Sequence, residues 1–279
     1  MVARRTRRAL AYYLGVLPFV VFSLFPFYWM IVTSFKQNSE LYDLRAIPFW
    51  FRVSPTLEHY AYLFQRTAFL TWTGNTIVVA VLSTAAAVLI SILAGYALAR
   101  LRFPGGEALG GAIFAVYLVP TTLLFIPLAE VVRELHLGDT RWALVVTYPT
   151  FLVPFATWLL MSYFRTIPQE LEESAWMDGC SRLGGLVRVV LPTAIPGVLT
   201  AGLFAFTLSW NEFIYAVMFV SSTAQKTLGP GVVMELIRGD VFYWGELMAG
   251  AVLGSVPIAI AYAFLLDYYI SGLTAGAIK

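Results

Sequence analysis

The sequence predicts an all-α, polytopic membrane protein with six transmembrane helices and both termini in the cytosol. Three observations carry that reading. Apolar residues make up 59% of the 279 residues and charged residues only 12%, with a mean hydropathy of +0.77, whereas a water-soluble domain carries about 25% charged residues. The remaining charges leave six gaps: Arg8 to Lys36, Arg66 to Arg100, Glu107 to Glu130, Arg141 to Arg165, Arg188 to Glu212, and Glu246 to Asp267. Each gap holds about 20 or more mostly apolar residues, enough helix to cross a ~30 Å hydrocarbon core. Alternating segments of about ten residues, the mark of a transmembrane barrel, are missing, and helices are the other way to satisfy every backbone group in lipid.

One domain, residues 1–279, is expected, with spans at about 9–33, 72–99, 108–130, 142–162, 193–220 and 246–270. Arg4, Arg5, Arg7 and Arg8 hold the start of the first span in the cytosol, because basic flanks orient a first helix. That start resembles a secretion signal, but its uncharged run of about 27 residues exceeds the about 7–15 of a signal's apolar core, so it reads as a retained helix. The loop after it, with Asp43, Pro48, Phe49, Trp50, Pro55 and His59, reads as an irregular external cap. A tight inside turn, Arg100 to Gly106, joins the second and third spans. Pro120, Pro127, Pro149, Pro154 and Pro257 are expected to kink helices. A second external segment, 221–244, carries Gly229-Pro230-Gly231 and a short helix from Val232 to Ile237. The chain is placed in the inner or plasma membrane, multi-pass.

Several functions are excluded. The lysines are Lys36, Lys226 and Lys279, and Gln225 precedes the Lys226-Thr227 pair, so no phosphate-binding Gly-Lys-Ser/Thr loop exists. A net charge of +2 gives no footprint for nucleic acid. Cys180 is the only cysteine and reads as a small buried residue. His59 and His136 fall in predicted external loops and no HExxH is present, so no metal site and no catalytic residue is expected. A secondary transporter would need intramembrane acids or broken helices, and this sequence offers little beyond Glu212 and its prolines.

The segment 163–192 is the longest of the inside loops. Thr166 or Ile167 precedes a helix opened by Pro168, where a missing N–H costs nothing. Glu170, Glu172 and Glu173 then favour the positive helix end. Gly179 stops the helix in a left-handed conformation, Ser181 caps a second helix to about Val190, and Pro192 ends it. A helical hairpin of this kind, with Leu171 and Ala175 one turn apart on one face, suits docking of another protein, the alternative being a merely structured loop.

Glu173-Ser174-Ala175, three residues, Gly179, nine residues, Val189, one residue and Leu191-Pro192 resemble the EAA motif of ABC-importer permeases. Ser174 replaces Ala and Val189 replaces Ile. The resemblance implies that the hairpin docks on an ATPase subunit, through Glu173, Ser174, Ala175, Asp178, Gly179, Leu191 and Pro192. Ser209-Trp210-Asn211-Glu212-Phe213, the Arg102-Phe103-Pro104-Gly105 turn and the ending Gly272 to Lys279 are similar to maltose-type carbohydrate permeases. The ending is closest to the second permease of the pair. Implied partners are a homologous second permease, two nucleotide-binding ATPase subunits that hold ATP and Mg, an extracytoplasmic solute-binding protein, membrane lipid and a mono-, di- or oligosaccharide. No cofactor is implied on this chain. A glycerol-phosphate-type importer belongs to the same branch.

Polar residues within spans remain open to two readings. Asn75, Ser83, Ser91, Thr121, Thr122, Thr147 and Asn211 could bond sugar hydroxyls, with Trp210 stacking on a ring, or could tie helices together. Glu212 stands either on a substrate path or at the external boundary.

Overall fold

The computed structural model describes residues 2–43, 45 and 48–275; side chains of residues 2–11 and 267–275 are outside that description, as are the last four residues of the Gly272–Lys279 ending. The chain forms two compact units. One takes the chain up to Phe69 with Val232–Val256, the other Leu70–Gly231 with the chain from Pro257.

In the first unit, α1 (Val2–Ser34) leaves its apolar side chains from Tyr12 to Tyr28 outward, Phe19 and Phe22 being 75% and 82% exposed. Its end is fixed by Ser34, whose Oγ donates to the Ile31 carbonyl at 2.7 Å and meets Tyr60 Oη at 2.8 Å. The expected irregular cap instead contains α2 (Asn38–Leu41) and α3 (Glu58–Arg66). Lys36 and Glu40 form a buried i,i+4 pair at 2.9 Å, and the Arg52 and Val53 amides also donate to the Glu40 carboxylate. Burial pushes that carboxyl upward, but the Lys36 bond and the two amides outweigh it and leave it below the ordinary value. His59 is fully buried, its Nε2 2.7 Å from the Lys36 carbonyl and its Nδ1 3.1 Å from Glu246 Oε1. Burial opposes its charge, yet these two acceptors hold the imidazole pKa above the ordinary value. The predicted short helix is α14 (Leu228–Leu236), followed by β1 (Ile237–Arg238) and β2 (Val241–Phe242), paired antiparallel with Ile237 opposite Phe242 and Arg238 opposite Val241. This two-stranded hairpin is a small exception to the all-α reading. The last helix, α15, runs Trp244–Ala275.

The second unit is built around α8 (Pro149–Phe164), on which α5 (Gly106–Tyr117) and α12 (Ile195–Asn211) pack. α4 (Phe69–Arg100) approaches α8 so closely that a Cβ on Gly95 would sit 3.0 Å from the Met161 amide nitrogen and 3.3 Å from the Thr157 carbonyl oxygen. A small residue is what permits helix backbones to meet in this way. α6 (Thr121–Glu134), α7 (Arg141–Thr147) and α13 (Ile214–Phe219) surround one buried cluster that includes Leu144, Tyr148, Leu152, Tyr215 and Phe219. A second cluster, including Tyr96, Leu160, Phe164, Leu186 and Val190, lies beneath the 165–193 hairpin.

Four helices among the described residues are long and apolar enough to span a membrane: Tyr12–Ser34, Phe69–Arg100, Arg141–Phe164 and Trp244–Leu266. The count reaches six only if two bent pairs each make one span. The expected span 108–130 is broken: α5 and α6 meet at 99° across Leu118–Pro120. Pro120 has no N–H to continue the ladder and disfavours helical geometry at Val119. The expected span 193–220 is divided into α12 and α13, and α12 meets the preceding Arg182–Thr193 segment at 81°.

Candidate functional sites, a helical hairpin and a cleft at a broken helix

The hairpin opens with α9 (Glu170–Met177), so Pro168 precedes the helix rather than starting it. Its end is a double closure. The Gly179 amide donates to the Trp176 carbonyl and the Cys180 amide to Ala175, both at 3.0 Å, with Gly179 at φ +89°. This pair of bonds is the Schellman motif, which requires a residue tolerant of left-handed geometry at Gly179. No neighbouring atom lies within 4 Å of a Cβ built there, so conformation rather than space demands glycine.

Ser181 caps α10 (Arg182–Gly185), its Oγ accepting from the Gly184 amide at 3.1 Å. The chain then widens into a π-turn, Leu186–Val190, and continues through α11 (Leu191–Thr193). Pro192 therefore sits inside the helical run and does not end it. Lacking an N–H, and with a ring that crowds the carbonyl four residues back, it disfavours ordinary α winding just ahead of it. Glu173, Ser174, Asp178, Gly179 and Pro192 are exposed; Ala175 and Leu191 are half-buried. Met177 is 89% exposed and Leu183 62% exposed, an apolar surface left largely uncovered by the described residues. Trp176 closes the hairpin from within: Arg182 lies over its ring at 5.7 Å, and a Cβ on Gly185 would approach its Nε1 to 3.0 Å. Cys180 is half-buried, with an Arg188 guanidinium nitrogen 3.9 Å from its sulfur.

Sequence reasoning missed the hairpin's anchor. Glu172, grouped with its neighbours as a first-turn acid, is only 1% exposed and pairs with Arg100 Nε at the end of α4. Tyr96 Oη donates to the same carboxylate at 2.9 Å, and the Arg100 guanidinium donates to the Ile167 carbonyl at 2.8 Å. The available signal was the i,i+4 spacing of Tyr96 and Arg100 on the last turn of an apolar helix.

A cleft of about 390 Å³ lies where α5 breaks from α6, with α8, α12 and the start of α13 forming its other walls. Its aromatic walls are Tyr117, Phe151 and Tyr215, its polar groups Thr121, Thr150 and Glu212. Glu212 is half-buried and receives three donors: the Tyr215 amide on Oε1 at 2.8 Å, and on Oε2 the Ala216 amide at 3.1 Å and Tyr148 Oη at 2.8 Å. The carboxylate thus satisfies amides that the first turn of α13 leaves open. Tyr215 Oη donates to the Thr121 carbonyl at 2.9 Å, joining α13 to the start of α6.

Of the nine residues that the sequence left open to a path reading, the cleft gathers Thr121 and Glu212. Thr122 is exposed and does not line it; Trp210 is 8% exposed, its ring 5.6 Å from Phe206. Asn211 is exposed and donates to the Thr207 carbonyl at 2.8 Å. Asn75 is bound up with the chain: its Nδ2 donates to the Ala224 and Lys226 carbonyls, each at 2.9 Å, while Arg141 donates to its Oδ1. Ser83 meets Ser209 at 2.8 Å, Ser91 donates to the Val153 carbonyl at 3.3 Å, and Thr147 donates to the Ala143 carbonyl at 2.7 Å. Asn75, Ser83 and Ser91 thus tie helix to helix or helix to loop, whereas Thr147 and Asn211 bond back within their own helices. Phe151, Tyr117 and Thr150 enter the cleft without having been named, because nothing local separates them from other apolar-span residues.

Residues 87–274, which include both the hairpin and the cleft, match the family described as binding-protein-dependent transport system inner membrane component. Similar curated proteins include the inner membrane ABC transporter permease protein YcjP of Escherichia coli, 37% identical over 99% of this chain and 98% of that protein. The sulfoquinovosyl glycerol transport system permease protein SmoH of Agrobacterium fabrum is 40% identical over 93% of this chain and 90% of its own length. The trehalose/maltose transport system permease protein MalG of Thermococcus litoralis is 31% identical, covering 95% of each. Among solved structures, a bacterial ABC transporter involved in the import of the acidic polysaccharide alginate superposes with a TM-score of 0.77 over 96% of this chain and 98% of its own. At 22% identity that likeness speaks for the fold alone.

Proposed function

The chain belongs to the family of binding-protein-dependent transport system inner membrane components, and on that premise we propose that it forms part of the path by which an ABC importer moves a carbohydrate inward. A member of this family is a transport component rather than a catalytic one. In this reading α5 with α6 makes one span and α12 with α13 another, six in all, and both termini and the hairpin before α12 lie in the cytosol. The hairpin docks on a separate ATPase through Glu173, Ser174, Ala175, Asp178 and Gly179, with Leu191 and Pro192 at its base. ATP and Mg are held by two such partner subunits. A second permease completes the path, and an extracytoplasmic binding protein delivers a mono-, di- or oligosaccharide. Relatives named for sulfoquinovosyl glycerol and for trehalose/maltose support the carbohydrate class.

The observation that carries the docking role is the hairpin's construction. It is closed by the Gly179 Schellman turn and anchored by Glu172, yet it leaves Met177 89% exposed. A rigid element that presents uncovered apolar side chains is built to be covered by another surface. Replacing Gly179 with Trp, or Glu173 with Lys, is expected to leave membrane insertion intact, cut uptake at least about tenfold and weaken copurification with the ATPase. Even Gly179→Ala carries strain of about 1–3 kcal/mol from the left-handed backbone. Wild-type uptake in both the Trp and Lys variants removes the docking reading.

A further inference from the structure

The geometry points to the cleft at the α5–α6 break as a subsite for one uncharged, hydroxyl-bearing sugar unit, an inference that rests on the carbohydrate importer reading. Three independent features converge there. First, the break at Leu118–Pro120 puts irregular backbone inside an apolar stretch. In a bilayer such backbone is tolerated where it is buried in protein or lines a wet cavity, and here it borders a cleft of about 390 Å³. That volume falls within the range of small-molecule sites.

Second, the cleft has stacking faces. Tyr117 is 40% exposed and is braced from behind by Phe155 at 5.2 Å between ring centres. Phe151 is held by Tyr215, edge to face at 5.6 Å. A pyranose presents C–H groups on its faces, which suit the negative face of an aromatic ring, and hydroxyls at its edge.

Third, Glu212 has acceptor capacity left over. A carboxylate offers about four lone-pair positions. Three are taken, two of them on Oε2, so Oε1 keeps one position beyond its bond from the Tyr215 amide. A sugar hydroxyl fills it by donating. No lysine or arginine lines the cleft among the described residues. A carboxylate or sulfonate on the sugar unit would therefore face Glu212 with no cation to offset the repulsion. The subsite takes the neutral unit of a saccharide.

The test uses the complete complex, with its binding protein and ATPase, in lipid nanodiscs. Stimulation of ATP hydrolysis is read for glucose, maltose, trehalose and cellobiose, and for digalacturonate, which is acidic at both units. The expected result is stimulation by an uncharged sugar and none by digalacturonate. With the stimulating sugar, Tyr117→Ala should raise the half-saturating concentration about tenfold or more, Tyr117→Trp should restore it, and Glu212→Gln should raise it severalfold. Because Glu212 also caps α13, the Tyr117 pair decides the matter if Glu212→Gln fails to assemble. Stimulation with no shift in Tyr117→Ala overturns the subsite and leaves the importer reading standing. Equal stimulation by digalacturonate overturns the charge preference. If no saccharide stimulates the wild-type complex, the carbohydrate reading fails and the subsite with it.

Discussion

Glu172 in the hairpin and Glu212 beside the cleft are both carboxylates drawn out of bulk water, but they are satisfied by different means. Glu172 meets a full cation, Arg100, with Tyr96 as a second donor, and its side chain is 1% exposed. Glu212 meets no cation among the described residues. It takes two backbone amides at the start of α13 and a tyrosine hydroxyl, and it stays half-buried. The first arrangement fixes one segment to another 72 residues away. The second keeps a partly solvated acceptor at the wall of a cavity. Pairing by a cation compensates the charge and serves attachment; solvation by amides leaves the charge at the cavity wall, as the proposed sugar subsite requires.

The largest effect that tests this contrast is expected from Glu172→Gln. It leaves Arg100 buried with a neutral partner, and breaking a buried pair costs about 3–5 kcal/mol. The hairpin should lose protection in hydrogen exchange while α12 keeps its own. Glu212→Gln should cost less, about 1–2 kcal/mol, since one carbonyl oxygen still caps α13 and water reaches the site. Thermal unfolding of the two purified variants checks the order. If Glu212→Gln is the more damaging, the cleft carboxylate is the structural one and the contrast is wrong. Ser181→Ala removes a single cap from an exposed turn and should cost about 1 kcal/mol, seen as local exchange at Gly184.

The smallest effect concerns Asp139, the exposed counterpart of Glu212, which accepts from the Ser222 and Ser221 amides at 2.7 Å each. Those two bonds, Ser222 first, hold its carboxyl below the ordinary 3.8. Its contribution is therefore fully present above that value and lost as pH falls through the lowered one. Amide exchange at Ser221 and Ser222, corrected for its intrinsic pH dependence, should lose protection only in that acid range. Loss beginning near neutral pH would mean that the loop is held by something else.

The hairpin was legible because its signals are local. Gly179 and Ser181 are residue types whose backbone and side-chain chemistry fix a stop and a start, and both act as expected. Glu172 was illegible for the opposite reason: its burial is decided by Tyr96 and Arg100, far away in sequence, and nothing in the run Glu170 to Glu173 distinguishes it. The spans show the same division. Charge gaps locate apolar helix well, but hydropathy is blind to direction, so a 99° turn at Leu118–Pro120 reads like continuous span. Pro120 marks that break, while Pro154 and Pro257 sit inside helices that continue through them. Proline alone does not say which outcome follows. In the cleft, Thr121 and Glu212 stood out as polar residues in apolar surroundings; Tyr117 and Phe151 did not, since an aromatic wall and an aromatic core residue are chemically the same until the cavity is seen.

The π-turn at Leu186–Val190 has a mechanical meaning for the chain that leaves the hairpin. Rewinding it to ordinary pitch would displace one residue, screwing everything after it by about 100° and 1.5 Å. Pro192, two positions on, resists that rewinding because it has no hydrogen to give and no room for its ring. Thread and nut are locked together, which holds Leu191–Thr193 in one register up to the 81° bend into α12.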